Sequence, residues 1–147
     1  MTRPSVVRTR PNVVVIDGQG GKMGQTVIAQ LRAARVDCAI CAVGTNSIAT
    51  ANMLKAGADH GATGENPVVV ACRDADFIVG PIGIVIADAL VGEVTPAMAA
   101  AVGRSRAERV LLPVNRCGTY VVGTQELPMA ELIAAAVAHI AAALNAP

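Results

Sequence analysis

A glycine-rich segment lies near the start of the chain, directly after the apolar run Val13–Ile16. It reads Asp17-Gly18-Gln19-Gly20-Gly21-Lys22-Met23-Gly24 and leads into a helical pattern. Glycines let a main chain turn sharply and approach a ligand closely, and the first N–H groups of a helix point at an anion. The order of strand, turn and helix therefore predicts a phosphate-binding loop, in which Asp17 orients the loop or contacts a ribose or a metal. The alternative is a tight turn that holds no ligand.

The glycine spacing and the end of the next strand bear on which nucleotide such a loop would hold. Gly18, Gly20 and Gly24 form G-x-G-x-x-x-G, whereas the familiar dinucleotide pattern has its last glycine one position earlier. The second apolar run ends in Gly44-Thr45-Asn46-Ser47. An NAD site usually has Asp or Glu there for the ribose hydroxyls, whereas small polar side chains accommodate a 2′-phosphate. The sequence therefore favours NADP over NAD, although no cation follows until Lys55. The alternative is that Asn46 or Ser47 caps a helix.

A second glycine-rich turn, Gly80-Pro81-Ile82-Gly83, follows another apolar strand. Its lack of side chains predicts a wall beside the first loop, against which a cofactor could lie across the sheet edge. Close packing where a strand meets a helix is the alternative.

Three residues are candidates for catalysis. Glu65 is suited to acid–base work or to a hydroxyl contact, unless it serves only to complement a helix dipole. Arg116 could clamp a phosphate or carboxylate. Cys117 could be a nucleophile or redox centre beside Arg116, but no histidine partner lies near it in the sequence, which favours a structural thiol.

The candidate residues can form one site only if the secondary structure brings them together, and the sequence predicts alternating strands and helices. Strands are predicted at 13–16, 38–43, 58–62, 77–79, 110–114 and 120–122, and helices from 23, 48, 68, 84, 97 and 128. Thr95 is predicted to cap the helix from 97, with Pro96 at its first position. Such alternation predicts an α/β fold: one Rossmann-like domain, residues 12–147, with an open, mostly parallel sheet and helices on both faces. Residues 1–11 are predicted to form a flexible arm. Parallel sheets bind ligands beyond the carboxyl ends of their strands, so the loops 18–24, 44–47, 80–83 and 115–118 should meet there.

The amino-acid composition argues against several classes of function. Apolar residues make up 53% of the chain and charged residues 16%, which indicates a folded domain. Only Phe77 and Tyr120 are aromatic and the net charge is +1, which argues against nucleic-acid partners. Cys38 and Cys41 lie three apart in a predicted strand and so point to opposite faces, which disfavours a metal site or a disulfide. The N-terminus lacks the apolar segment of a secretory signal, and Phe77–Val91 is shorter than the roughly 20 residues of a membrane span. We therefore expect a cytoplasmic protein without membrane contact.

Several sequence blocks together resemble one family of short bacterial proteins, the domain of unknown function 3842. The blocks are Val15–Gly21, Gly44–Asn46, Thr63–Asn66, Gly80–Gly83 and Leu112–Cys117, and the likeness covers about Val13 to Ile140. The resemblance implies a compact Rossmann-like domain and brings no substrate, activity or catalytic residue. The chain departs from the family pattern in its basic arm and in Lys22-Met23 inside the glycine loop.

Three functions are consistent with the sequence. The first is a nucleotide-binding protein that holds NADP or NAD, as a small oxidoreductase. The second is a non-catalytic nucleotide sensor or accessory protein. The third is an enzyme that acts on a phosphorylated metabolite through Arg116 and Glu65. The apolar stripe from Leu132 to Leu144 and the predicted helix Ile84–Leu90 further predict a homodimer or larger homo-oligomer.

Overall fold

The computed structural model describes residues 10–114 and 117–145. Within these ranges the chain forms five strands and five α-helices, and a short 3-10 helix, Ile82–Val85, follows the fourth strand. The strands are β1 (Asn12–Asp17), β2 (Ala39–Gly44), β3 (His60–Thr63), β4 (Phe77–Pro81) and β5 (Glu108–Leu112). The helices are α1 (Lys22–Ala33), α2 (Ser47–Lys55), α3 (Glu65–Cys72), α4 (Pro96–Arg104) and α5 (Met129–Asn145).

The strands form one parallel sheet in the order β3-β2-β1-β4-β5. The chain builds outwards from β1 to β3, then crosses back and continues from β4 to β5 on the other side. The strand order therefore reverses between β1 and β4, as in a doubly wound Rossmann-like sheet. The α/β fold and the single domain predicted from the alternation of strands and helices are present.

Two apolar clusters lie on the two faces of the sheet, and β1 contributes to both. Val13 and Val15 belong to the cluster that also contains residues of α1 and α5, whereas Val14 and Ile16 belong to the cluster beneath α3 and α4. Alternate side chains of a strand point to opposite faces, so a continuous run of valine and isoleucine can be buried on both. All four residues are at most 2% exposed.

The prediction of a helix at Ile84–Leu90 is wrong. The 3-10 helix ends at Val85, and Asp88, Leu90 and Val91 have positive φ angles of 66°, 57° and 57°. An α-helix cannot include residues in this left-handed region. The chain instead makes a compact loop, residues 88–94, that is described with the site below.

Two further expectations change in the structure. Tyr120–Val122 is not a strand: the side chains of Tyr120 and Val122 are 77% and 85% exposed, and the segment pairs with no strand in the described ranges. The stripe on α5 exists, but Ile133, Val137 and Ile140 are buried in the core of the same chain. The apolar surface expected for assembly is therefore used for folding.

No helix in the described part of the chain is long and apolar enough to cross a membrane.

Candidate functional site

The carboxylate of Asp17 holds the glycine loop from inside the protein. Asp17 ends β1 and is only 6% exposed. Its Oδ1 accepts a hydrogen bond from the amide of Gly18, and its Oδ2 accepts one from the amide of Gly24 in the first turn of α1, both at 2.8 Å. Burial raises the pKa of Asp17 and outweighs the opposing effect of the two amide hydrogen bonds. The structure thus gives Asp17 the orienting role, one of those that the sequence left open.

Two adjacent glycines of the loop have opposite surroundings. Gly21 has a φ of 69°, and a Cβ added to it would lie 2.6 Å from the Cα of Ala49 in α2. Gly20 is exposed, and a Cβ added to it would have no neighbouring atom closer than 3.9 Å. The fold itself therefore requires glycine at position 21. The space above Gly20 is open.

Close packing within the chain accounts for four other glycines of the predicted site, because an added Cβ would lie within 2.6 Å of a neighbouring atom. These are Gly18, Gly24, Gly44 and Gly80. At Gly80, for example, that neighbour is the carbonyl oxygen of Ile16 in β1. The second glycine-rich turn is thus pressed against β1 at the position of this glycine.

The start of α2 fixes the exposed tip of the loop. The side chain of Asn46 accepts a hydrogen bond from the amide of Ala49 at 2.9 Å, so Asn46 caps α2. Its Nδ2 also donates to the carbonyl of Gln19 at 2.9 Å, and Asn52 donates to the carbonyl of Gly20 at 2.8 Å. The loops after β1 and β2 therefore meet at the carboxyl edge of the sheet, as the sequence predicted.

A carboxylate that the sequence did not single out, that of Glu93, joins these two loops. It accepts hydrogen bonds from the hydroxyl of Thr45 at 3.0 Å, from the side-chain amide of Asn46, and from the backbone amide of Gln19 at 3.2 Å. Partial burial acts to raise the pKa of Glu93, but the hydrogen bonds from Asn46, Gln19 and Thr45 outweigh it and hold the pKa below its usual value. Glu93 is therefore a negative charge at the end of β2.

One sequence signal could have pointed to Glu93. Thr95 caps α4 and Pro96 begins it, as the Thr-Pro pair predicts. In a parallel α/β sheet the connecting helices start at the carboxyl edge, so a carboxylate two residues before a predicted helix start belongs to that edge. Its contacts with Thr45 and Asn46 could not be read from the sequence, because they span 47 to 48 positions along the chain.

The loop 88–94 carries Glu93 and covers the point where the strand order reverses. Four backbone hydrogen bonds close it on itself, among them Asp88 N–H to the carbonyl of Val94 at 2.7 Å. The Leu90 side chain is buried, 2.9 Å from the position of a Cβ on Gly18 and 3.9 Å from that of a Cβ on Gly83. Leu90 therefore fills the gap between the turns that follow β1 and β4.

Positive charge at the glycine loop comes from Lys22 and from the start of α1. Lys22 is exposed and forms no ion pair with the described part of the chain. The amide of Gly24 donates to Asp17, whereas the amides of Lys22 and Met23 have no acceptor among the described residues. Free amides at a helix start attract anions, while other amides of this loop already donate to the carboxylates of Asp17 and Glu93.

The two catalytic candidates that the structure describes, Glu65 and Cys117, lie beside the ends of different strands. Glu65 is exposed at the start of α3, after the edge strand β3, which lies two strands from β1. Cys117 is exposed, and its Sγ lies 3.5 Å from the position of a Cβ on Gly83, so it reaches the turn after β4. Arg116 lies outside the described residues.

Comparison with known proteins gives a family without a known activity. No curated protein and no solved structure matches this chain. One family model, described as a domain of unknown function, matches residues 12–145, which include all five strands and all the α-helices described above. The chain belongs to this family, DUF3842.

Proposed function

We propose that this protein binds a nucleotide at the carboxyl edge of its sheet, through the loop 18–24. The observation that carries the proposal is the open space above Gly20, next to the strand-order reversal between β1 and β4. Doubly wound sheets bind ligands beyond their carboxyl ends at such reversals. Lys22 and the amides of Lys22 and Met23 beside that space suit a phosphate group. NAD and NADP are the candidate ligands.

The residues present fit a nucleotide that lies towards β2. Phosphate groups would contact the start of α1, and the ribose would lie near Thr45, Asn46 and Glu93, which already form one hydrogen-bonded group. A bound nicotinamide cofactor would supply hydride transfer, which would make the chain a small oxidoreductase. Cys117, whose Sγ lies 3.5 Å from the position of a Cβ on Gly83 in the turn after β4, would then lie on the side of the far half of such a ligand.

The position of Leu90 affects how much each half of a bound dinucleotide would contribute to the binding free energy. It fills the gap between Gly18 and Gly83, along which a ligand would cross from β1 to β4. We therefore expect the adenosine diphosphate half to supply most of the affinity. ADP alone should bind nearly as tightly as the preferred dinucleotide.

Calorimetry with four compounds tests the proposal. ADP, NAD, NADP and adenosine are titrated into the purified chain, after mass spectrometry of denatured protein has shown whether a nucleotide copurifies. We expect binding of ADP and of one dinucleotide, and none of adenosine, which lacks the phosphates. Equal binding of adenosine and ADP would contradict phosphate recognition by the loop. Turnover would appear as a change in nicotinamide absorbance with a substrate.

A matched pair of lysine variants locates the phosphate contact. Lys22→Met removes the exposed cation at the start of α1, and Lys55→Met removes another exposed cation, from the last turn of α2. We expect Lys22→Met to weaken ADP binding by roughly 1–2 kcal/mol, below the upper range for a charged hydrogen bond because the side chain is exposed. Lys55→Met should leave the affinity unchanged. A loss of ADP affinity in Lys55→Met but not in Lys22→Met would mean that the phosphates do not bind at the start of α1.

We also propose that the chain forms a homodimer. The α5 stripe is internal, so the support is now the group of exposed apolar side chains between positions 120 and 129. Tyr120, Val122, Leu127 and Met129 are 42% to 85% exposed. A monomer mass by light scattering at micromolar concentration, with ADP present, would contradict this proposal.

A further inference from the structure

We propose that Glu93 selects for a ribose without a 2′-phosphate, so that the site accepts NAD and excludes NADP. This inference rests on the proposed nucleotide function. It reverses the preference for NADP that the strand-end sequence Gly44-Thr45-Asn46-Ser47 suggested. That sequence has no carboxylate of its own, and the fold supplies one from the loop 88–94.

The position of Glu93 matches the place where dinucleotide-binding sheets use an acidic residue. Such sheets have Asp or Glu at the end of β2, where it accepts hydrogen bonds from the ribose hydroxyls. Here the Glu93 carboxylate bonds to Thr45 and Asn46, the two residues that follow β2, and to Gln19 in the glycine loop. It therefore lies between the predicted phosphate-binding loop and the end of β2.

One oxygen of the carboxylate retains capacity for a ligand. Oε1 accepts from Thr45 and Asn46, the Gln19 amide lies 3.2 Å from both oxygens and is shared between them, and Oε2 has no other hydrogen bond with the described residues. A carboxylate oxygen can accept about two hydrogen bonds. Oε2 can therefore accept a ribose hydroxyl while Oε1 keeps the side chain in place.

The charge on Glu93 is not neutralised by its surroundings. The three groups that donate hydrogen bonds to it, from Gln19, Thr45 and Asn46, are uncharged, and no lysine or arginine of the described chain forms an ion pair with it. A 2′-phosphate brings further negative charge to the same place, and like charges a few ångströms apart repel. A ribose hydroxyl instead gains a charge-assisted hydrogen bond.

Hydrogen bonds and the buried Leu90 side chain fix the backbone of the loop that carries Glu93. Glu93 donates its own amide to the carbonyl of Leu90 at 3.1 Å, and Leu90 is buried against Gly18. The loop is also closed by the hydrogen bonds from Asp88 N–H to the carbonyl of Val94 at 2.7 Å and from Val94 N–H to the carbonyl of Ala89 at 3.1 Å. To displace the carboxylate, a 2′-phosphate would have to break its hydrogen bonds with Thr45, Asn46 and Gln19.

Calorimetry of NAD and NADP binding to the wild type and to Glu93→Gln tests the inference. The wild type should bind NAD at least about tenfold more tightly than NADP, the ratio that about 1.4 kcal/mol produces. Glu93→Gln keeps the size of the side chain and removes the charge, so its preference should fall to within about threefold or reverse. Asp37→Asn removes one charge at an exposed turn between α1 and β2, at the opposite edge of the sheet, and should keep the wild-type ratio.

Each outcome has a distinct meaning. Equal affinity of the wild type for NAD and NADP would overturn the inference, and this measurement does not depend on the folding of any variant. Equal gains in both affinities in Glu93→Gln would also overturn it, because Glu93 would then only obstruct the loop. If neither protein binds NAD, NADP or ADP, the proposed function itself is wrong. Selectivity lost in Glu93→Gln, with NAD still bound, would support the inference.

Discussion

Two neighbouring glycines of the loop should respond in opposite ways to the same substitution. Gly21→Ala places a Cβ 2.6 Å from the Cα and 2.9 Å from the carbonyl oxygen of Ala49, so the start of α1 must move away from α2. Gly20→Ala adds the same methyl group where the nearest atom is 3.9 Å away. The pair isolates the effect of position, because the two changes are chemically identical.

The expected magnitude follows from two contributions at Gly21. Its φ of 69° costs an alanine about 1–2 kcal/mol. Overpacking against a fixed backbone costs typically about 1–3 kcal/mol more. We therefore expect Gly21→Ala to lower the free energy of unfolding by roughly 2–5 kcal/mol, and Gly20→Ala to change it by less than about 0.5 kcal/mol.

Urea denaturation followed by far-ultraviolet circular dichroism measures both values. The chain has no tryptophan, so the helical signal is the better probe of unfolding. The slope of unfolding free energy against urea should be the same in both variants, so that midpoints can be compared directly. Equal stability of the two variants, or a greater loss in Gly20→Ala, would refute the description of the loop and its contact with α2.

Three further perturbations follow from hydrogen bonds at the two edges of the sheet. Asp17→Asn should destabilise the fold by roughly 1–3 kcal/mol, because an amide can accept from only one of the two buried N–H groups that Asp17 binds; thermal unfolding at pH 7 would check this. The stability difference between wild type and Glu93→Gln should be complete above the ordinary glutamate pKa of 4.5 and should vanish as the pH falls further, since folding lowers this pKa; no dependence on pH would contradict the hydrogen-bond assignment. Arg32→Lys should destabilise the chain by about 1 kcal/mol or more, because a lysine cannot make the three bonds from Arg32 to Gly57, Cys38 and Asp59; urea midpoints would show whether it does.

The sequence predicted those parts of the site whose residues lie close together along the chain. The strand β1, the turn 18–21 and the helix α1 follow one another within 22 residues, and apolar periodicity with glycine spacing is enough to identify them. The start of α4 at Thr95 and Pro96 is predicted for the same reason.

The remainder depends on contacts between distant positions. Ile84–Leu90 has the composition of a helix, but burial of Leu90 between Gly18 and Gly83 fixes a left-handed backbone there instead. The apolar stripe of α5 was visible in the sequence, yet periodicity does not tell whether such a face meets its own sheet or another subunit. The position of Glu93 depends on both the loop and the end of β2, so no single stretch of sequence contains it.

The central claim is that the open space above Gly20 holds the phosphates of a nucleotide, and ADP binding to Gly20→Val tests it most directly. The Cβ of a valine at this position would have no neighbouring atom closer than 3.9 Å, so we expect the variant to fold and keep the wild-type circular dichroism spectrum. Calorimetry should then show ADP binding to the wild type and an affinity at least about a hundredfold lower in Gly20→Val, equivalent to about 2.8 kcal/mol. Unchanged ADP affinity in a folded Gly20→Val protein would contradict the account.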